Sequence, residues 1–304
     1  MGMQRAVTMV LLAASAATAP AARAQEIEPR AFVPSPVGVT FVVAAAGRST
    51  GGILTDPSLP VDDVEATIDT VAIGVGHTFA LFGHLANAAL VLPYASGHFT
   101  GTIDGEDAEA SRSGAADLKL RLAANLVGAP AMTPAEFARR TPATTVGVAL
   151  TVSAPTGEYY PAKLVNVGTN RWAIKPEIGV SHPLGRWYLE AIAGAWFFED
   201  NDDFFGGRLR KQEPLASIQG HVSYTFRPKL WLAFNATWYD GGRSSVDGVL
   251  KDDRQSNTRY GLTLSLPLGR SQSLKLHWND GASTRIGSDF TTYGIAWQYT
   301  HLPR

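Results

Sequence analysis

The chain has 304 residues, 45% of them apolar, and a formal net charge of -1. Without a basic run it offers nucleic acid no electrostatic footprint. Cysteine is absent, which excludes disulfides and thiolate metal sites and suits passage through an oxidising compartment.

At the N-terminus, Arg5 precedes a short apolar stretch over 6–19, and Ala22-Arg23-Ala24 forms a small-x-small cleavage site before Gln25. This is the pattern of a secretory signal peptide over 1–24, read by the Sec export route. Nothing later approaches the ~20 consecutive apolar residues that a spanning helix needs. The expected organisation is therefore the signal, a short periplasmic segment over 25–36, and one folded unit over 37–304.

That unit reads apolar-polar with a period of two. Ala216, Ile218, Gly220, Val222, Tyr224 and Phe226 alternate with Ser217, Gln219, His221, Ser223 and Thr225. Such a period puts one set of side chains on each face of a strand. About a dozen runs follow it, near 37–48, 67–80, 85–95, 114–126, 144–154, 171–182, 187–198, 214–226, 230–239, 257–268, 273–280 and 289–299. Tight turns such as Phe82-Gly83-His84 and Arg227-Pro228-Lys229 alternate with long polar loops over 49–66, 96–113, 155–170, 199–213, 240–256 and 281–288. Short turns on one side and long loops on the other are the asymmetry of an outer-membrane barrel. The connection over 128–142 falls on the short side yet is long, and 134–140 is expected to form a small helix there. Pro176, in mid-strand, is expected to mark a bulge.

A β-sandwich alternates too, but it buries its apolar faces against each other. Here Lys119, Arg121, Lys175, Glu177 and Lys275 sit in mid-strand, opposite faces rich in Trp and Leu. Aromatic residues gather near strand ends, as interfacial girdles require. The expected fold is all-β: an antiparallel transmembrane β-barrel of about 12 strands, with short periplasmic turns and long extracellular loops, in the outer membrane.

Catalytic and metal patterns are weak. None of the seven His residues has a Ser-containing hydrolase setting, and no Gly-x-Ser-x-Gly elbow occurs. Acidic loops (Asp104, Glu106, Asp107 and Glu109 in one, Glu199, Asp200, Asp202 and Asp203 in another) lack EF-hand spacing. No catalytic, cofactor or metal residue is assigned. The residues expected to line the lumen are Lys119, Arg121, Lys175, Glu177, Glu190, Gln219, His221, Asn235, Lys275, His277 and Asn279. Inward polar residues set selectivity when a barrel conducts. Their opposite charges favour a narrow or gated bore over a wide one. Trp196, Phe198, Phe204 and Phe205, with Trp231 and Tyr239, are candidates for an apolar entry, or for folding a loop inward.

The motif Ala154-Pro155-Thr156-Gly157-Glu158-Tyr159, followed by Lys163, Asn166, Gly168-Thr169-Asn170-Arg171-Trp172 and Pro176, resembles a signature of the "MetA-pathway of phenol degradation" family. Asp240-Gly241-Gly242-Arg243-Ser244 resembles its next loop. Ser273-Leu274-Lys275-Leu276, Thr284-Arg285 and Asp289-Phe290-Thr291-Thr292 resemble its C-terminal block. The resemblance is sharpest over 152–181 and 239–299. It implies an outer-membrane barrel with an uptake role in aromatic-compound degradation and no established catalytic residues. This chain runs past Tyr299 to Arg304 where a terminal aromatic is the usual signal to the barrel assembly machinery; Trp297 and Tyr299 are expected to serve instead.

The leading expectation is a passive channel or transporter for small hydrophobic or aromatic solutes, not an enzyme, with no cofactor. Its expected surroundings are outer-membrane lipid and lipopolysaccharide. The alternative is a structural or adhesive barrel without conductance, and an outer-membrane hydrolase stands third.

Overall fold

The computed structural model describes residues 28–55 and 61–302, so the expected signal peptide lies outside the described residues. The wall consists of β1 (Thr40–Leu54), β2 (Val61–Leu81), β3 (His84–Ile103), β4 (Glu106–Ala115), β5 (Leu118–Val127), β6 (Thr145–Ala154), β7 (Ala173–Leu184) and β8 (Trp187–Phe198). After two short strands, β9 (Asn201–Phe204) and β10 (Arg208–Gln212), it continues with β11 (Leu215–Arg227) and β12 (Leu230–Gly241). Two more short strands, β13 (Ser244–Val246) and β14 (Val249–Leu250), precede β15 (Gln255–Pro267), β16 (Gln272–Ser283) and β17 (Gly287–His301).

Thirteen strands form one sheet, but β4 and β5 lie end to end against β3, so the wall is twelve strands around. All neighbours are antiparallel. The first and last strands close the cylinder, with β1 paired to β17 from Thr40↔His301 to Leu54↔Gly287. Closure leaves the twelve-stranded wall without an edge, β4 alone pairing on one side only; in hydrocarbon an edge would strand N–H and C=O groups without partners.

The polarity is inside out. Ile73, Ile178 and Phe234 point outward and are more than half exposed, whereas Ser223, Asn235 and Thr292 point inward and are fully buried. Water on the outside would not tolerate this; a lipid tail is the solvent that does. Aromatic rings gather near the rims of the outer face. At the turn end Tyr224 packs edge-on against both Trp187 and Phe226, at 4.9 and 5.0 Å. Nearer the loop end Tyr260 meets Trp278 at 5.5 Å.

Each of the twelve expected runs lies on a wall strand, with three corrections. The fourth run breaks at Ala116 and Asp117, where Asp117 turns aside to hold a loop. No bulge forms at Pro176, because β7 keeps one register with β6 through Leu150↔Pro176 and resumes the same register with β8 on either side. The missing N–H of proline interrupts the ladder without displacing it. Lastly, the loops over 49–66 and 96–113 are largely strand: β2 and β3 run well past the membrane zone, and β3 and β4 meet at the turn Asp104–Gly105. Both turn residues have positive φ (54° and 81°), as a two-residue hairpin turn of this hand demands.

On the turn side, α1 (Pro134–Phe137) does form within 128–142. Thr133 caps it by accepting from the Glu136 backbone N–H, while the Glu136 carboxylate accepts from the Thr133 backbone N–H at 2.8 Å. These hydrogen bonds hold the Glu136 carboxyl below its ordinary pKa.

Ile178 lies in the middle of the twelve-residue β7. Ile178→Arg is expected to destabilise the barrel by about 2–4 kcal/mol, the cost of a cation at bilayer mid-depth. Leu184→Arg, at the turn end of the same strand, is expected to cost about 0–1 kcal/mol. Urea unfolding in lipid vesicles measures both.

Candidate functional site: the bore and its two closures

The inner wall carries the polar set expected to line the lumen. Lys175, Glu190, Gln219, His221, Asn235 and Asn279 are buried there; Arg121, Glu177, Lys119, Lys275 and His277 share the inward face with partial exposure. Much of this lining pairs with itself. Lys175 Nζ is 3.1 Å from Glu177 Oε1, and Arg121 Nε is 3.9 Å from Glu177 Oε2. His221 Nδ1 lies 2.9 Å from Asn235 Oδ1, and Asn235 Nδ2 donates to Thr263 Oγ1 at 3.0 Å. Asn279 Oδ1 accepts from Arg259 Nη2 at 2.8 Å. The His277 ring covers Gly294 so closely that a Cβ there would come within 2.0 Å of it.

Pairing is what burial requires, since an unpartnered charge or amide in a low-dielectric interior is costly. It also fixes the rotamers of the lining.

The chain's own lead-in lies within the turn-end mouth. The segment over 25–36 was expected to be a periplasmic extension. Its described part, from Glu28, enters the bore. Thr78 of β2 holds the residues just before β1: the Gly38 N–H donates to the Thr78 carbonyl at 2.7 Å, and the Thr78 hydroxyl donates to the Pro36 carbonyl at 2.8 Å.

Further in, the Arg30 backbone N–H donates to Glu190 Oε2 at 2.8 Å. Arg30 Nε donates to Ser223 Oγ at 3.1 Å, and Nη2 to Thr225 Oγ1 at 2.6 Å. Its guanidinium lies over the rings of Trp231 and Tyr188, at 4.5 and 5.0 Å. Phe32 is 1% exposed, in a nest of Ala123, Ala149 and Ile192. Gly147 and Gly179 make room for it: a Cβ at either would come within 2.5 Å of the ring. The Asn125 amide reaches the Phe32 carbonyl at 3.5 Å, and the Arg121 guanidinium sits 5.4 Å from the ring centre. Sequence reasoning missed Arg30 and Phe32, because a dozen aperiodic residues before the first strand carry no pattern.

Three connections fold together over the loop-end mouth. Asp117, 3% exposed, accepts from the backbone N–H groups of Gly157 and Thr169 at 3.0 Å each and from the Thr169 hydroxyl at 2.5 Å. It thereby folds the loop over 155–172 back across the rim, where Gly157 and Gly168 touch backbone to backbone. The loops over 199–213 and 240–256 are not irregular: they form a second sheet in the order β14-β13-β10-β9. Asn201 joins the two systems, donating to Tyr159 Oη at 3.0 Å and accepting from Asn170 Nδ2 at 3.0 Å. Arg171 donates to Gln212 Oε1, and Asp253 accepts from both the Ser244 N–H and its hydroxyl. Burial pushes the Tyr159 phenol pKa up and the Arg210 guanidinium pKa down.

The entry candidates belong to this closure. Trp196 is buried and stacks on Phe198 at 6.4 Å within a cluster containing Ala173, Leu215 and Tyr239. Arg171 sits 4.6 Å over Phe198, and Arg210 5.3 Å over Phe204, which is 2% exposed. Phe205 is half-buried beside it. These rings fold the loops inward and do not flare into a mouth. Trp231 lies at the opposite end, on Arg30. Among the described residues no group of three or more His, Asp or Glu side chains is arranged to hold a metal ion.

Residues 57–298 match the family described as "Putative MetA-pathway of phenol degradation". No curated protein matches the chain. Among solved structures, an outer membrane channel of the COG4313 group from Pseudomonas putida F1 is similar, with TM-score 0.75 and 21% identity over 91% of this chain and 100% of that one. The β domain of the Bordetella autotransporter BrkA aligns with TM-score 0.52 and 12% identity, covering 87% of this chain and 100% of that one. The transport unit of the Escherichia coli autotransporter AIDA-I aligns with TM-score 0.51 and 10% identity, over 97% of each chain. At these identities the likeness is one of fold.

Two substitutions and one control separate the two ends of the bore. Gly179→Val is expected to expel Phe32 and expose the segment over 28–39 to added protease while the barrel stays folded. Gly220→Val, at a position with nothing within 4 Å, leaves cleavage unchanged. Asp117→Ala is expected to free the loop over 155–172 at a cost of about 1.5–3 kcal/mol, the range for hydrogen bonds to a charged group. Hydrogen exchange of the Gly157 and Thr169 amides reports it.

Proposed function

The chain belongs to the MetA-pathway of phenol degradation family, and from that premise we propose that it is a gated outer-membrane channel for passive uptake of small hydrophobic or aromatic compounds. The observation that carries this reading is the contrast between wall and closures. The wall is one closed barrel, while the segments folded over its two mouths are held by contacts outside that ladder: side-chain hydrogen bonds and ring contacts of Arg30 and Phe32 at the turn end, and Asp117 with a small separate sheet at the loop end. Segments held in that way open locally at a fraction of the cost of unfolding the barrel. The similar Pseudomonas putida structure is described as a channel, which supports the reading.

Solute choice would rest on the lining. Self-paired charges (Arg121, Lys175 and Glu177) narrow the bore and disfavour bulk ion flow. The aromatic cluster of Trp196, Phe198, Phe204 and Phe205 offers flat apolar faces at the loop end, to which an aryl ring can bind once the loops part. Outer-membrane lipid, lipopolysaccharide and the barrel assembly machinery are the partners such a barrel would meet.

Planar-bilayer recording of the refolded, signal-free protein tests the proposal. Brief, small conductance steps that an aromatic solute blocks are the expected result. Combined Trp196→Ala, Phe204→Ala and Phe205→Ala substitutions should raise the blocking concentration about tenfold, a loss of roughly 1.4 kcal/mol. Silence from a folded wild-type barrel that also fails to transfer aromatics into vesicles would leave the structural or adhesive reading.

A further inference from the structure

The contacts of Arg30 amount to a built cation site. Two aromatic faces, Trp231 at 4.5 Å and Tyr188 at 5.0 Å, lie against one guanidinium. The hydroxyl oxygens of Ser223 and Thr225 accept from it at 3.1 and 2.6 Å. The carboxylate of Glu190, 6% exposed, accepts from the Arg30 backbone N–H at 2.8 Å. Aromatic faces, hydrogen-bond acceptors and a buried carboxylate in one place are features by which a protein recognises an organic cation. Beside this site lies the nest of Phe32, a glycine-lined slot for a single aromatic ring. The chain's own Arg30-Ala31-Phe32 thus presents a cation and a phenyl group, two residues apart, to two adjoining subsites. Every residue that forms these subsites belongs to the wall, so the subsites persist when the segment leaves.

We infer that these two subsites form a binding site for aralkyl cations, molecules carrying an ammonium or guanidinium group and an aryl ring, and that Arg30 and Phe32 occupy it as internal mimics of the solute. The inference rests on the channel reading and deepens it. A solute of this class competes with the segment for the wall and so holds the turn-end mouth free of it. Neutral aromatics of equal size reach only the Phe32 slot and compete less well. The site thereby couples solute identity to opening, because its ligand has affinity for the undocked state alone.

The test uses the full mature chain with Arg30→Ala and Phe32→Ala combined, folding being checked by the heat-dependent gel shift of barrels. Calorimetric titration of the solubilised variant compares 4-phenylbutylammonium with neutral 4-phenylbutanol. The cation is expected to bind at least tenfold more tightly, and Trp231→Ala or Glu190→Gln added to the variant should bring the two within threefold. In the wild type, where the site is filled, affinity for the cation should fall at least tenfold. Equal binding of cation and alcohol, or a cation preference that survives both added substitutions, would overturn the assignment. Binding needs no conductance: a silent barrel that still prefers the cation defeats the channel reading and spares this site. A conducting barrel without the preference does the reverse.

Discussion

Everything in this molecule follows from one constraint: in hydrocarbon each backbone N–H and C=O must find its partner within the protein. The pairing of β1 with β17 satisfies it by removing the last two edges. Once the ladder is closed, a period of two leaves each strand with one row for lipid and one for the bore. The alternation of Ile174 and Ile178 with Lys175 and Glu177 is the sequence form of that geometry. Charged residues that would ruin a soluble core become tolerable because they face one another across a confined interior.

Confinement then sets the character of the bore. Twelve strands enclose more space than the wall's own side chains fill and less than an open porin leaves. Part of that space is occupied by the chain itself, by Phe32 and Arg30 at one end and by Trp196, Phe198 and Phe204 at the other. Both closures use the same chemistry, an aromatic ring beneath a guanidinium. Arg30 lies on Trp231, Arg171 on Phe198 and Arg210 on Phe204. Such contacts tolerate partial burial of a charge, whereas a plain ion pair would demand tighter geometry to offset its desolvation.

The wall was legible in the sequence because its signal is repeated and local. Ala216 to Phe226 announce their two faces without help from any other strand, and so do the runs around Leu118 and Leu262. The inward position of the lumen residues follows from the same alternation. What escaped reading was long-range or aperiodic. Asp117 looks like one more inward polar residue, and only the folded loop shows that its carboxylate gathers Gly157 and Thr169. The second sheet is built from strands of two to five residues, too short to display a period. Its turn signal, Asp247-Gly248, stands in the sequence much as Asp104-Gly105 does, yet in a polar stretch it reads as ordinary loop. Arg30 and Phe32 were invisible for a different reason: their partners lie 160 to 195 residues away for Arg30.

That separation bears on the order of assembly. The lead-in is continuous with β1, yet it is fastened to β8, β11 and β12 across the cylinder, and Phe32 rests among β5, β6, β7 and β8. None of these anchorages exists until the far wall has been laid down. The segment therefore works as a diametric tie, drawn tight only after the hoop is complete. Its docking thus follows the laying down of β5–β8, β11 and β12, which carry every one of these anchors.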